Sequence, residues 1–396
     1  MKHLQILSAI GILLSTSCMN KEEKSSIPVL NIDPTNSTTL NFSRIFDHYE
    51  IIPLCNDTVN LLTKPFKIEI KDSLIYFSNA NSLYSYTHEG KCKLKINNVG
   101  VGPGEYLSLA DFSLNDNCIE INDRDGRKIY RYTYDGVYLN SFNHRLFSYS
   151  FKKLEDHYIF HSGCLYNKEL NNDYRVNILD ENGHIKKSYF KIDKYEREIN
   201  IMEYSNFASF NDTLSFSYCL SNYIYDINSE TNKRLKINFG DYNLPYNYIK
   251  EHNNIIDFMN SIKNVKYASL IDGYKESSKF LFFSYAFHGE RPFVLLNKST
   301  NQVYHFNRFN DDLLFENTSI RTGYAELPVL LTNEAYYRFI EASDIIEILE
   351  EHKKSLTPEE WTKFKQKHEK LYQISQNISA ESNPVIVKYY FKSNEI

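Results

Sequence analysis

The sequence lacks most of the features that announce a function. Its six cysteines, Cys18, Cys55, Cys92, Cys118, Cys164 and Cys219, include no C-x-x-C pair and no spacing suited to a metal. A disulfide framework and a zinc site are therefore not expected. Its one long apolar run, Leu4 to Leu14, is about half the length that a transmembrane helix needs. Positive charge is not in excess either: 45 Lys and Arg stand against 50 Asp and Glu, a formal net charge of -5. That balance becomes one unit more negative once the leader with its Lys2 is removed, and it excludes the electrostatic footprint of a nucleic-acid binder. No G-x-S-x-G element is present for a nucleophilic serine, and His368-Glu369 opens a zincin-like pattern that fails at Tyr372. His157 and His161 fall on a strand, where a rise of about 3.3 Å per residue sets them about 13 Å apart, too far to share a metal. Gly100, Gly102 and Gly104 lack a following Lys-Ser or Lys-Thr, and Pro103 removes a backbone donor, so they do not form a phosphate cradle. No cofactor and no metal are expected.

Aromatic residues, by contrast, are plentiful: 32 Tyr and 26 Phe bring the aromatic fraction to 15%, which favours pleated sheets over helical bundles. Residues 1–17 read as an export leader, with a positive Lys2 and a short apolar stretch. They end in LLSTSC, where Ser15, Thr16 and Ser17 precede Cys18 as in a bacterial lipobox, making Cys18 the expected lipidated residue. An ordinary signal peptide with a chance cysteine is the alternative. Lys21, Glu22 and Glu23 follow directly, like the acidic surface-export signals of Bacteroidota lipoproteins. Residues 18–40 are expected to be a polar tether between the anchor and a folded body at 41–396.

A repeat decides the fold class. SLYSYTHEGKCKLKI (82–96), KIYRYTYDGVYLNSF (128–142) and RVNILDENGHIKKSYF (175–190) each contain an alternating strand, a polar turn with glycine and a second strand. Their turn glycines, Gly90, Gly136 and Gly183, are 46 and 47 residues apart. Two further copies turn near Asn232 and Asn301, and each unit has another strand upstream, such as DSLIYFSN (72–79) and NCIEINDR (117–124). Antiparallel units of roughly 40 to 50 residues predict an all-β fold, a β-propeller. Open strand edges must be closed, so the strand-like ends at 42–54 and 383–392 are expected to share a sixth blade.

Two stretches break the β pattern. The first, about 245–268 within the wider 241–276 gap, predicts a short helix around Ile249 to Val265. The second, 333–377, predicts a helical hairpin before the last strand: Ala335, Phe339, Ala342, Ile346 and Leu349 fall at helical spacing, and Thr357-Pro358-Glu359-Glu360 is a capping box with proline at the first helical position. Trp361, Phe364 and Leu371 would meet Phe339, Ile346 and Leu349, with Trp361 as anchor.

With FDHYEIIPLCND (46–57), NNVGVGPGEYLSLADF (97–112), DGRKIYRYTYDG (125–136) and NPVIVKYYF (383–391), the chain resembles the six-bladed β-propeller lipoproteins of Bacteroidota over nearly its whole mature length. It departs from them at Leu54-Cys55 and in its lengthened inserts. The resemblance implies a lipid-anchored propeller of the outer membrane, and the acidic residues after Cys18 add surface exposure as an expectation.

Candidate ligand contacts are few. Glu105, in the Gly-Pro-Gly-Glu loop, either caps backbone donors or faces a ligand. His288, Glu290 and Arg291 combine an imidazole, a carboxylate and a guanidinium on one loop of the fifth unit and could contact an anionic or sugar ligand, against an ordinary polar turn. Asn122-Asp123-Arg124-Asp125-Gly126 has acidic spacing but lacks the later bidentate Glu of a calcium loop. Asp57-Thr58-Val59, Asp72-Ser73-Leu74 and Asp212-Thr213-Leu214 resemble O-glycosylation triplets and are equally ordinary before strands. The reading is a binding or interaction module for a glycan, peptide or protein. A propeller hydrolase or lyase and a structural partner of an outer-membrane complex are the alternatives. An enzyme would need acidic or imidazole groups converging at the central channel, and no such set recurs at corresponding positions of several units. If Cys18 carries the anchor, Cys18→Ser is expected to release the protein from the membrane fraction or leave the precursor uncleaved; unchanged processing and association would remove the lipobox.

Overall fold

Short strands with aromatic residues on both faces cannot bury themselves alone, and here they assemble into sheets that pack face to face in a ring. The computed structural model describes residues 27–55, 62, 67–79, 81–203, 206–211, 213–227, 231–316 and 327–393. The leader, Cys18, the acidic signal after it, Asp57-Thr58-Val59 and Asp212 lie outside them.

Six sheets of four or five strands are present among the described residues. Sheet I comprises Lys67–Lys71, Leu74–Asn79, Ser82–Thr87 and Cys92–Ile96, and sheet II comprises Asp111–Leu114, Ile119–Asp123, Lys128–Tyr132 and Tyr138–Asn143. Sheet III holds Ser150–Leu154, His157–His161, Tyr174–Asp180 and Ile185–Lys191. Sheet IV holds Phe207–Phe210, Thr213–Phe216, Tyr223–Ile227 and Thr231–Asn238; sheet V holds Ser269–Glu276, Phe280–Ala286, Phe293–Asn297 and Gln302–Asn310. Sheet VI joins Leu330–Leu331, Ala335–Ile340 and Val385–Phe391 to Phe46–Pro53 from the other end of the chain. The first strand of each sheet lies against the first strand of the next, and that of sheet VI lies against that of sheet I. The result is a closed β-propeller arrangement.

The expected meeting of the chain ends is observed. Phe46–Pro53 pairs antiparallel with Val385–Phe391, placing Ile52 opposite Ile386 and Ile51 opposite Val387. The periodic glycines also have a structural reason. Gly90, Gly136 and Gly183 have φ of 81°, 82° and 83°, backbone that L side chains rarely adopt. Each turn also abuts the outermost strand of the preceding sheet: a Cβ on Gly90 would lie 1.6 Å from the Pro53 carbonyl oxygen, and one on Gly183 would lie 2.5 Å from that of Asn143.

Two expectations are corrected. Residues 18–40 are not a tether throughout. Val29–Asn31 adds a parallel fifth strand to sheet IV, and Thr38–Asn41 adds one to sheet V, with Leu30, Ile32 and Leu40 buried. The outermost strands of those sheets would otherwise present open edges, and these apolar side chains give the added strands a reason to stay. The hairpin at 333–377 begins too early as well. Ala335–Ile340 is a strand, buried at all six positions; Ala335 and Phe339 are four apart by coincidence, because a strand buried on both faces has no period-two signal. The α-helices among the described residues are α1 (Lys194–Ile199), α2 (Tyr246–Ile249), α3 (Ile255–Ile262), α4 (Ala342–Ser355), α5 (Pro358–Lys367) and α6 (Glu369–Ser375). The capping box at the start of α5 is formed, with Glu360 N donating to Thr357 Oγ1 at 3.3 Å and Thr357 N to Glu360 Oε2 at 2.9 Å. The buried stripe is Ile345, Leu349, Phe364, Leu371 and Ile374. Ile346 and Trp361 are only half-buried, so Phe364, with Trp361 stacked on it at 5.3 Å, is the anchor. Helix α6 packs on Phe46–Pro53, and His368 fixes it there: the ring lies 2.7 Å from the Tyr49 hydroxyl and 3.1 Å from Glu316 Oε1.

Four joints between sheets carry an arginine, a buried carboxylate and a tyrosine. Between sheets II and III, the Tyr158 hydroxyl donates to Glu120 Oε1 at 2.5 Å and accepts from Arg131 Nη2 at 2.7 Å. Between III and IV, Arg175 lies 3.1 Å from Glu196 and 3.7 Å from Glu203, with its guanidinium 4.6 Å from the Tyr218 ring. Between IV and V, Arg234 meets Glu276 at 2.5 Å, and Lys298 reaches the same carboxylate at 2.8 Å; Tyr274 donates to it as well. Between V and VI, Arg338 contacts Asp311 at 2.5 Å and the Tyr389 hydroxyl at 2.9 Å. Asp311 is wholly buried, and burial pushes its carboxyl above the ordinary range despite Arg338. Removing one partner of such a pair strands the other charge. Asp311→Asn is therefore expected to lower stability by about 3–5 kcal/mol in guanidinium unfolding, whereas Asp311→Leu combined with Arg338→Met loses much less. Equal losses would refute a stranded charge.

Candidate binding site

The innermost strands bring ionisable side chains to the axis of the ring. Lys67 Nζ lies 2.8 Å from Asp111 Oδ1 and 3.0 Å from Glu69 Oε1, and Lys152 Nζ lies 2.9 Å from that same Glu69 oxygen. Asp111 also accepts the Phe151 N–H at 2.9 Å, so sheets I, II and III are tied together. Sheet V adds Lys275 and Asp272. Burial brings the Lys275 ammonium down to about 8, with Asp272 and Asp111 opposing the shift and Lys67 and Lys152 assisting it. For Glu69 burial acts upward, but attraction to Lys152 and Lys67 prevails and holds it at about 2. The sequence expectation, framed around acidic or imidazole groups at corresponding positions of several units, does not single these residues out. The signal was faint because the strands carrying it are short, five residues in sheet I and four in sheet II.

A four-strand meander puts its first and third turns at one end and its second turn and outgoing link at the other. In this ring the first end has short turns. The second end carries the links 97–110, 192–206 and 239–268, the connection 162–173, and the span 341–384 with α4 to α6. It is also the apolar end: Val99, Val101, Leu107, Tyr166, Met202, Tyr246 and Ile256 are seven of the twelve large hydrophobic residues left exposed among the described residues, and Val101 is 91% exposed.

The residues singled out in the sequence separate here. Glu105 is half-buried in its own loop, accepting the Gly102 N–H at 2.8 Å, which matches the capping alternative. His288 and Gly289 are the central residues of a tight turn closed by Phe287 N to Glu290 O at 3.1 Å and Glu290 N to Phe287 O at 3.0 Å. His288 is exposed. Arg291 turns away from it and donates to Asp272 Oδ2 and Ser284 Oγ, both at 3.0 Å. Glu290 instead accepts from Asn307 at 3.0 Å. The three do not form one cluster, but Glu290 and Arg291 line a cleft of about 420 Å³ between this turn and α3. Its other walls include Met259, Ile262, Lys263, Phe293 and Arg308. Lys263 and Arg308 escaped sequence reading because neither belongs to a motif. Asp123 is buried and spends its carboxylate on the N–H groups of Leu107, Ser108 and Gly126, at 3.0, 3.0 and 2.9 Å, so the acidic turn is a structural cap. His157 and His161 take different surroundings: His157 pairs with Asp156 at 3.0 Å, while His161 is buried against Phe216.

The axial ion pairs give a pH signature. Glu69 is held below its ordinary value, so the stability it contributes is fully present above about 4.5 and is lost as pH falls towards 2. Glu69→Gln should lower stability by about 3 kcal/mol at pH 6, and the gap from the parent should shrink between pH 4.5 and 2. A gap that does not change with pH in urea unfolding would contradict the pairing.

Comparison with known proteins places this architecture. No curated protein matches the chain by sequence. A Bacteroides fragilis NCTC 9343 protein described as exported superposes with a TM-score of 0.70, covering 93% of this chain and 100% of its own at 14% identity. A DUF4221-family protein from Bacteroides vulgatus ATCC 8482 gives 0.45, with 88% and 97% coverage and 10% identity. A catalytically inactive variant of the virginiamycin B lyase of Staphylococcus aureus, with quinupristin, gives 0.43, with 74% and 81% coverage and 14% identity. At 14% identity the likeness to the Bacteroides fragilis protein is one of fold. The family model described as a domain of unknown function, DUF4934, matches residues 26–390, and the chain belongs to that family.

Proposed function

We propose that the protein is an exported, lipid-anchored, six-bladed β-propeller that binds a peptide or protein partner at the end of the ring bearing its long connections. The six sheets are its blades, and Cys18 is its anchor at the outer membrane. One observation carries the reading: seven exposed apolar side chains gather on connections at that end, while the opposite end offers short turns. Exposed apolar residues concentrated in one region of a soluble surface are the usual mark of an interaction site. The exported Bacteroides protein of similar fold supports an envelope location. Among the described residues no helix is long and apolar enough to cross a membrane.

The hydrolase or lyase alternative draws less support. Lys67, Glu69, Asp111 and Lys152 are engaged in ion pairs with one another, an arrangement suited to holding strands rather than exchanging protons. Docking through the helical span is weaker too, because α4 to α6 turn their apolar stripe onto the ring. The test is site-specific photocrosslinking in cells. A crosslinking residue at Val101 or Ile256 is expected to capture a discrete protein, and one at Asp116 or Glu155, on the short-turn end, is not. Capture that ignores the end probed would refute the assignment.

A further inference from the structure

The cleft beside α3 has a composition that the rest of the apolar end does not share. Its floor is aliphatic, with Ile262 buried and Met259 half-buried on the helix. Its rim carries exposed Lys263 on one wall and exposed Arg308 on the other, with Arg291 deeper, held by Asp272 and Ser284. The one carboxylate among the lining residues, Glu290, accepts the Asn307 amide. With Arg291 paired to Asp272, two exposed cations, Lys263 and Arg308, face the single lining carboxylate across about 420 Å³, room for two or three side chains of a peptide. Phe293, the single aromatic residue in the lining, is fully buried, so no ring face is offered for a sugar to stack on. From the juxtaposition of an aliphatic floor and a cationic rim, we infer that this cleft takes an acidic peptide segment, its Asp or Glu carboxylates meeting Lys263 and Arg308 while a neighbouring aliphatic side chain enters over Met259 and Ile262. This rests on the peptide-binding reading above and gives it a chemistry. Cations at a rim steer and select an acidic partner more than they add raw affinity, so discrimination against the uncharged counterpart is the property to measure.

The test uses the full-length mature protein, immobilised, and two octapeptide libraries. One alternates aliphatic residues with Asp or Glu; its matched counterpart carries Asn or Gln at those positions. At low salt the acidic library is expected to be retained about tenfold more than its counterpart, a preference that fades as ionic strength rises towards ~0.5 M. Lys263→Glu combined with Arg308→Glu should abolish the preference. Both side chains are exposed, so this variant is expected to keep the parental unfolding curve, which is checked alongside. Val137→Asp, exposed on a short turn at the opposite end, should leave the preference intact. Equal retention of the two libraries would overturn the inference while leaving the peptide-binding reading in place. Retention of polygalacturonate instead of peptide, lost in the Lys263→Glu, Arg308→Glu protein, would overturn it in favour of an acidic glycan. Retention of neither would also overturn it, and the crosslinking pattern would then decide the wider reading independently.

Discussion

The ring depends on charges taken out of water at the joints between its sheets. A buried guanidinium or carboxylate is strongly unfavourable unless it is both paired and hydrogen-bonded. At four joints the same solution recurs, an arginine and a carboxylate with a tyrosine close by. Apolar packing alone would let one sheet slide over another at little loss, since aromatic and aliphatic faces tolerate many offsets. A buried polar contact tolerates few. Contacts such as Arg234 with Glu276 and Arg131 with Tyr158 therefore set the register of each sheet on its neighbour, and the shared aromatic surface supplies the bulk of the burial.

The axis repeats this logic at smaller scale. Lys67, Glu69, Asp111 and Lys152 come from three different sheets, so the ion pairs also link innermost strands too short to hold one another through backbone contacts. This explains why charged residues occupy a position that a larger core would fill with leucine or valine. The axis is thereby taken up by self-pairing charges, and the longer connections lie away from it.

Much of this was legible in the residues. Gly90, Gly136 and Gly183 marked the period because a left-handed turn and a close seat against the preceding sheet both require glycine. The two strand-like ends were readable because Val385, Val387 and Tyr389 alternate. Thr357 and Glu360 announced the start of α5 through their capping chemistry. What stayed hidden is instructive. Ala335–Ile340 is buried on both faces, so its pattern carries neither period and blends into the helix that follows. The strands at 29–31 and 38–41 are three and four residues long, too short for alternation to register, and they gain stability only from edges made elsewhere. Of the candidate site, Glu290 and Arg291 were visible as a polar loop, but their partners Lys263 and Arg308 come from a helix end and an outer strand, and no local pattern joins them.

The strap formed by residues 29–53 has a consequence for how the molecule comes into being. It gives an edge strand to each of sheets IV, V and VI, with partners separated in sequence by 207, 269 and 340 residues. A chain synthesised N-terminus first exposes this segment long before any of its partners exist. Sheet VI must therefore wait for the last strand to arrive, and residues 46–53 must stay unpaired meanwhile. Contacts this distant in sequence slow assembly, because a long loop must close before any pairing is gained.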